Sequence, residues 1–166
     1  MKTIQEDDLI FDVSSAVNAE RFDDNNLHGG ISTIKRVDFI IEHNDEFIFL
    51  EVKDPDKPGA SNPEKFKQDL FGGVLIPDLA GKYRDTLFFS SLRKAYEKPI
   101  TYVVLICMKS LEKALLLAKT DALKGALPMT HKTWSKKSVD SCMILNLDAY
   151  KKSYGNESVW RESEYK

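Results

Sequence analysis

Residues 36–55 read RVDFIIEHNDEFIFLEVKDP and decide the fold of this chain. The stretch holds two runs rich in Ile, Val and Phe, joined by a short polar segment, which is the pattern of a β-hairpin. Charged residues interrupt both runs: Asp38 in the first, and Glu51 and Lys53 in the second. Buried strands rarely carry charged side chains. These residues therefore form either a solvated ion cluster at a sheet edge or a functional site.

A two-residue turn at Asn44 and Asp45 sets the register of this hairpin. It pairs residue 43 with 46 and, further along, Asp38 with Glu51. Their Cβ atoms would then lie about 4.5–5.5 Å apart, with Lys53 two residues along on the same face. The opposite face is wholly apolar, so it must pack on a helix or a second layer. It consists of Val37, Phe39, Ile41, Ile48, Leu50 and Val52.

Opposed carboxylates indicate a missing cation. Like charges across a strand pair are destabilising, whereas a hard ion such as Mg²⁺ binds carboxylate oxygens and keeps several waters. Phosphodiester hydrolysis needs such a cation and a group that positions the attacking water, and the compact ammonium of Lys53 suits that second role. The structural alternative is a surface ion network, which contributes at most about 1 kcal/mol.

The segment before the hairpin predicts a first helix over residues 13–22, capped by Asp12. On this helix Glu20 shares a stripe with Val13 and Val17. A carboxylate on an apolar stripe costs free energy unless a cation or hydrogen-bond donors compensate its charge. Glu20 therefore either joins the acidic residues of the hairpin or leans out to water at the helix end.

Further along, Asn62 and Pro63 begin a helix, with Gln68 at the border of its inner arc. That arc is predicted to hold Phe66, Leu70, Phe71 and Val74. Short or broken helices are expected in residues 72–99, because glycines and a proline interrupt that segment. The remaining predictions are strands at 100–108 and 141–147, a helix at 110–125 between Ser110 and Gly125, and a polar C-terminal tail.

Composition indicates one globular domain over residues 1–166. The chain has 24 basic and 26 acidic residues and a net charge of −2, so a nucleic-acid surface would have to be a local patch. Two patches are candidates, although solvated lysines would give the same pattern: Lys57, Lys65 and Lys67, and residues 131–138 around Trp134. No signal segment or spanning apolar run is evident, which predicts a cytoplasmic protein without a membrane partner. Cys107 and Cys142 are predicted to be buried free thiols.

The order of these elements resembles that of the PD-(D/E)XK phosphodiesterase (restriction-endonuclease-like) superfamily. The resemblance rests on Glu20 on a helix, Asp38 on a strand, Glu51-Val52-Lys53 on the next strand and Gln68 on the following helix. The resemblance implies an α/β fold with a mixed central β-sheet flanked by helices and an αβββαβ core. The core would span residues 10–108, and residues 109–166 would add a helix and a strand.

The resemblance also implies an activity. Asp38 and Glu51 would bind one or two Mg²⁺ or Mn²⁺ ions, and Lys53 would orient or activate the attacking water. Some branches of the superfamily add a glutamate and a glutamine, which match Glu20 and Gln68. The pattern departs from the family at Val37, where proline is common, and at Gly72, where the glutamine branch has tyrosine.

The expected function is thus metal-dependent hydrolysis of nucleic acid, with DNA favoured over RNA because the superfamily acts mostly on DNA. A homodimer or a partner protein is the expected source of specificity, since the net charge of −2 does not favour strong binding of phosphate. The alternative is a module that keeps the nuclease fold without turnover and binds nucleic acid or a protein partner.

Overall fold

The computed structural model describes residues 1–31 and 33–165. Side chains are described for the same residues up to Glu164. It has a mixed α/β fold, as the sequence predicts. The strands are β1 (Thr3–Glu6), β2 (Leu9–Asp12), β3 (Asn18–Arg21), β4 (Phe39–Glu42), β5 (Phe47–Lys53), β6 (Ile100–Ile106), β7 (Ser141–Leu145) and β8 (Val159–Arg161). The helices are α1 (Pro63–Phe71), α2 (Leu75–Ser91), α3 (Lys113–Ala126) and α4 (Leu147–Tyr154), followed by a short 3-10 helix at Glu162–Tyr165.

A five-stranded sheet with the order β3-β4-β5-β6-β7 forms the centre of the molecule. β4 runs antiparallel to both of its neighbours, β3 and β5. β6 runs parallel to both of its neighbours, β5 and β7. Parallel neighbours need a crossover, which α1 and α2 supply between β5 and β6, and α3 between β6 and β7. A second, antiparallel sheet has the order β1-β2-β8.

The hairpin has the predicted register. Phe39 pairs with Leu50 and Glu42 with Phe47, and the His43 amide donates to the Glu46 carbonyl across 2.9 Å at the turn. The ladder ends at Phe39, one position before Asp38 would face Glu51.

The central sheet separates two hydrophobic cores. The face that carries Ile40 and Phe49 packs with residues of α2 and α3 such as Tyr83 and Leu116. The opposite face packs with the small sheet and with Tyr150 of α4. The prediction of one wholly apolar face is confirmed for five of its six members: Phe39, Ile41, Ile48, Leu50 and Val52.

Val37 is the exception, because it lies in the core on the helical side of the sheet. Its amide donates to Thr86 Oγ1 of α2 across 3.0 Å instead of continuing the β4–β5 ladder. The chain therefore changes sides just before β4 begins.

The predicted first helix is wrong. Residues 18–21 form strand β3 and pair with β4, with Glu20 opposite Ile40. Asp12 does not cap a helix: its carboxylate accepts the Ser14 amide at 2.8 Å, a local turn that redirects the chain after β2. Backbone pairing with β4 outweighs the weak helical pattern here, and Val17, expected in the core, is 56% exposed.

The helix beginning at Asn62 and Pro63 is confirmed, and the Asn62 side chain accepts the Lys65 amide at 3.0 Å. Leu70 is buried, but the predicted core positions Phe71 and Val74 are 55% and 63% exposed.

The broken helices expected over 72–99 are wrong, since α2 is a continuous helix of 17 residues. Pro77 is tolerated because it lies in the first turn, where its missing N–H is not needed.

The later elements agree with the sequence only in part. β6 and β7 are confirmed, while α3 begins at Lys113 and includes Gly125, which does not stop it. The predicted polar tail is instead α4, β8 and the 3-10 helix. Cys107 and Cys142 are buried free thiols, as predicted. Among residues 1–31 and 33–165 no helix is long and apolar enough to cross a membrane.

A buried arginine joins the C-terminal strand to the end of β5. Arg161 of β8 makes a bidentate pair with Asp54, at 2.7 Å through Nη1 and 2.9 Å through Nη2, and lies 3.2 Å from Asp8. Only 1% of the Asp54 side chain and 10% of the Arg161 side chain are exposed. Asp54 directly follows Lys53, so this pair anchors the chain where β5 ends.

We predict that Arg161→Met lowers the free energy of unfolding by about 3–5 kcal/mol, because it leaves the Asp54 carboxylate buried without its cation. Urea denaturation followed by circular dichroism measures this. Lys65→Met is the control, since it removes an exposed pair with Asp69 that contributes about 0.5 kcal/mol. Equal losses of unfolding free energy in the two variants would contradict a stabilising role for the buried pair between Arg161 and Asp54.

Candidate metal centre

Asp38 and Glu51 come together beside the carboxyl end of β5. Asp38 is 6% exposed and Glu51 is fully buried in the middle strand of the central sheet. The Lys53 ammonium lies 2.8 Å from Glu51 Oε1. The structure therefore brings together the three residues that the hairpin pattern singles out.

Asp38 is held by hydrogen bonds at both its backbone and its carboxylate. Its carbonyl accepts the Phe22 amide at 2.7 Å, and its Oδ2 accepts the Val52 amide at 2.6 Å. In a continued ladder the Val52 N–H would face the backbone of residue 37. The Asp38 carboxylate takes that donor instead, which fixes the carboxylate beside β5.

The pKa of Asp38 is raised to about 7, first by burial of the carboxyl and second by the neighbouring charge of Glu51. The hydrogen bond from the Val52 amide acts in the opposite direction without outweighing these two effects. Near neutral pH this carboxyl is thus close to the midpoint of its titration.

Glu51 is neutralised by charge without being hydrogen-bonded. Its Oε1 lies 2.8 Å from the Lys53 ammonium and 2.6 Å from the Lys82 ammonium. Neither approach has the angles of a hydrogen bond, and neither carboxylate oxygen has a hydrogen-bond partner among the residues described. A buried carboxylate without hydrogen bonds is costly. A ligand could bind at Oε2 directly, but at Oε1 it would have to compete with the two ammonium groups.

Lys82 belongs to this charged cluster, although the sequence did not reveal it. It lies on α2, in the segment that was predicted as broken helices, and its side chain is 18% exposed. Asp78, one turn earlier on α2, pairs with Lys35 at 2.7 Å. Lys82 could have been found only from the helical periodicity of residues 75–91 together with the packing of α2 over β5.

Lys53 carries a stable positive charge. Burial alone would lower the pKa of its ammonium, but the nearby carboxylates, Glu51 first and then Asp38 and Asp78, together outweigh burial and raise the pKa above its ordinary value. In the metal-free protein this lysine is consequently a cation and not a general base.

The structure does not bring Glu20 to these residues. Glu20 lies on the same sheet face, but opposite Ile40, and its carboxylate binds Arg93 at 2.9 and 3.3 Å. The nearer third acid is Glu6 of β1, which raises the pKa of Asp38 electrostatically and pairs with Arg21 at 2.5 Å.

Gln68 is also outside the cluster. It is exposed on α1, and within the described ranges its side chain makes no hydrogen bond. This agrees with the absence of the matching tyrosine at Gly72.

The predicted phosphate-binding lysines are mostly engaged with acids. Lys57 pairs with Asp7 at 2.6 Å, and Lys65 pairs with Asp69 one turn along α1. In the second patch Trp134 is 45% exposed, while Lys136 donates to the Tyr96 carbonyl at 2.5 Å.

A cavity of about 230 Å³ opens beside Lys53. The loop after β5 and the start of α1 form its walls, with Lys57, Asn62 and Phe66 among the lining residues. It provides access from solvent to the lysine side of the cluster.

Asp38 and Glu51 fit a hard divalent ion better than zinc. Among residues 1–31 and 33–165 no group of three or more His, Cys, Asp or Glu side chains is placed to hold a metal. Zinc sites ordinarily need at least three such ligands, whereas Mg²⁺ uses one or two carboxylates and fills its shell with water and substrate oxygens. Oε2 of Glu51, which has no hydrogen-bond partner among the described residues, is a suitable ligand.

Comparison with known proteins assigns no family. The chain matches no protein-family model, no curated protein and no solved structure. The residues of the cluster are therefore the basis for a functional assignment.

The raised pKa of Asp38, about 7 against an ordinary 3.8, predicts how this group affects the stability of the metal-free protein. Below about pH 3 the carboxyl is protonated in both the unfolded and the folded state and costs nothing. Between about pH 4 and pH 7 the unfolded chain has released the proton while the folded protein keeps it. The free energy of unfolding then falls by about 1.4 kcal/mol per pH unit.

Urea denaturation in EDTA at pH 4.5 and pH 7 measures this effect against Asp38→Asn. The variant has no carboxyl to titrate at this position, so we expect its stability to exceed that of the wild type more at pH 7 than at pH 4.5. A difference that does not change with pH would contradict the raised pKa.

Proposed function

We propose that this protein is a metal-dependent nuclease that hydrolyses phosphodiester bonds, with DNA as the favoured substrate. The observation that carries the proposal is the juxtaposition of two buried acids, Asp38 and Glu51, with the Lys53 ammonium 2.8 Å from Glu51 Oε1. Asp38 and Glu51 would hold Mg²⁺ or Mn²⁺. When bound, such an ion neutralises nonbridging phosphate oxygens and lowers the pKa of a water molecule.

The side chains of the protein supply the remaining parts of the reaction. The Val52 amide holds the Asp38 carboxylate at 2.6 Å, so this ligand is oriented before anything binds. Lys53 stays protonated, which suits it to position the attacking water and to offset negative charge on the phosphate. Burial of Glu51 keeps bulk water away and strengthens each of these electrostatic interactions.

The strand arrangement supports the resemblance to the PD-(D/E)XK superfamily. β3, β4 and β5 are antiparallel, β5 and β6 are parallel, and helices connect the last two. This is the order that the resemblance implies for the sheet. The expected first helix is replaced by β3, which removes Glu20 from the proposed metal ligands and leaves Asp38 and Glu51.

A catalytically inactive module that keeps the same fold is the second candidate. One observation favours it: two ammonium groups already neutralise Glu51, as they would in a cluster that serves stability alone. Divalent metal separates the two functions, because an inactive ion cluster gains nothing from Mn²⁺.

The substrate class follows from the same proposal. DNA is favoured by the resemblance, and a net charge of −2 implies weak, strongly salt-dependent binding by the chain alone. We therefore propose that a second copy or a partner protein contributes to specificity. Cleavage assays with single-stranded, duplex and branched DNA and with RNA, each with Mg²⁺ or Mn²⁺, would identify the substrate.

We predict that Asp38→Asn and Glu51→Gln each abolish metal-dependent cleavage and the increase in melting temperature on addition of Mn²⁺, because each removes a proposed ligand charge. Differential scanning fluorimetry and the cleavage panel measure the two effects. Glu42→Gln is the control: this half-buried acid lies on the same sheet face and pairs with Lys98 at 2.8 Å. Cleavage by purified Asp38→Asn would overturn the proposal.

Lys53→Ala is expected to lose turnover while Mn²⁺ binding is retained, because an ammonium does not ligate the ion but does act on water and phosphate. The kcat should fall by about a hundredfold or more, measured under saturating Mn²⁺. Lys124→Ala on the exposed surface of α3 controls for the lost charge. Wild-type turnover in Lys53→Ala would exclude its assigned role.

A further inference from the structure

Lys82 is the one member of the charged cluster without a role in the proposed reaction. It comes from α2, reaches the buried Glu51 from the helical side of the sheet and lies 2.6 Å from Oε1. Lys53 approaches the same oxygen from the strand itself, at 2.8 Å. Two cations therefore meet one carboxylate oxygen, although a single cation is enough to neutralise it.

The charges of the cluster balance when Asp38 is ionised, as it would be when it ligates a metal ion. The charges of Asp38 and Glu51 then match those of Lys53 and Lys82. The neighbouring acids have their own cations: Glu6 pairs with Arg21 at 2.5 Å and Asp78 with Lys35 at 2.7 Å. A divalent ion added to this neutral group leaves an excess of two positive charges. Phosphodiester hydrolysis develops about two negative charges on the phosphate in its transition state, so the excess matches what the site would have to stabilise.

We infer that Lys82 is a second functional lysine: it occupies Glu51 as a counter-ion in the metal-free protein and transfers to the substrate phosphate once a divalent ion is bound. This inference rests on the proposed nuclease function. It assigns to α2 a residue of the reaction that the hairpin motif does not contain.

The geometry allows this exchange of partners. Lys53 and Lys82 contact the same oxygen of Glu51, so Glu51 keeps one cation when the Lys82 ammonium moves. A lysine ammonium is a point charge on a flexible four-carbon stem and can change partner without moving its helix. The Lys82 side chain is 18% exposed, so it is partly accessible to solvent, from which a phosphate must arrive.

Removal of the Lys82 ammonium should therefore strengthen the binding of Mn²⁺ but lower the kcat. Lys82→Met removes the competitor for Glu51 and one repulsive charge close to the ion, so the Kd for Mn²⁺ should fall by about tenfold or more. The same variant loses a cation at the phosphate, so kcat at saturating Mn²⁺ should fall by about a hundredfold. A purely structural lysine would instead weaken both metal binding and stability when removed.

Isothermal titration of MnCl₂ into the full chain tests the binding effect without reference to activity. Arg84→Met is the matched control, because Arg84 is an exposed residue of α2 and its loss changes the charge equally; screening should keep its Kd within about twofold of the wild type. Lys82→Arg keeps the charge and should restore a Kd near that of the wild type. Lys82→Gln provides a second neutral variant.

The possible outcomes separate this inference from the function on which it rests. No Mn²⁺ binding by the wild type would overturn the proposed nuclease and the role of Lys82 together. Binding by the wild type that is not tighter in either Lys82→Met or Lys82→Gln would overturn the role of Lys82 alone. Tighter binding with an unchanged kcat would overturn the transfer to phosphate.

Discussion

The buried charge of Glu51 is the constraint on which the rest of the site depends. A carboxylate in the middle strand of a five-stranded sheet is costly unless a cation compensates it, and Glu51 has no exposure and no hydrogen-bond partner among the described residues. Lys53 from the same strand and Lys82 from α2 compensate it, and the pKa of Asp38 is about 7 because of burial first and the neighbouring Glu51 charge second. The position of α2 over the sheet is thus linked to the charge on β5.

The surrounding architecture keeps this arrangement rigid. The Asp38 carboxylate accepts a hydrogen bond from the Val52 amide, and this bond replaces the pairing of β4 with β5 where the acids meet. Val37 passes to the other core and its amide bonds to Thr86 of α2. Beyond Lys53, the pair between Asp54 and Arg161 connects the chain to the second sheet. Backbone, helix and C-terminal strand therefore all converge on the end of β5.

This arrangement relates the two proposals to each other. Two ammonium groups already neutralise Glu51 without metal, which explains why an ion pair alone could account for the structure. The same balance is changed by a divalent ion, since the two lysines then carry charge that no protein group neutralises. A phosphate would fit this excess, so the count of charges is compatible with the proposed substrate, which rests on the resemblance of the motif.

The sequence by itself determined the hairpin and the meeting of Asp38, Glu51 and Lys53, because strand alternation and turn length are local properties that a register converts directly into neighbours. The start of α1 could likewise be predicted from its N-cap residue, Asn62. The predictions of a first helix over residues 13–22, carrying Glu20, and of broken helices over 72–99 were wrong. Pairing with β4 and packing over the sheet outweigh local propensity there. Lys82 could be found only in the tertiary structure: it lies 31 positions after Glu51, and no local pattern specifies which helix crosses a given strand.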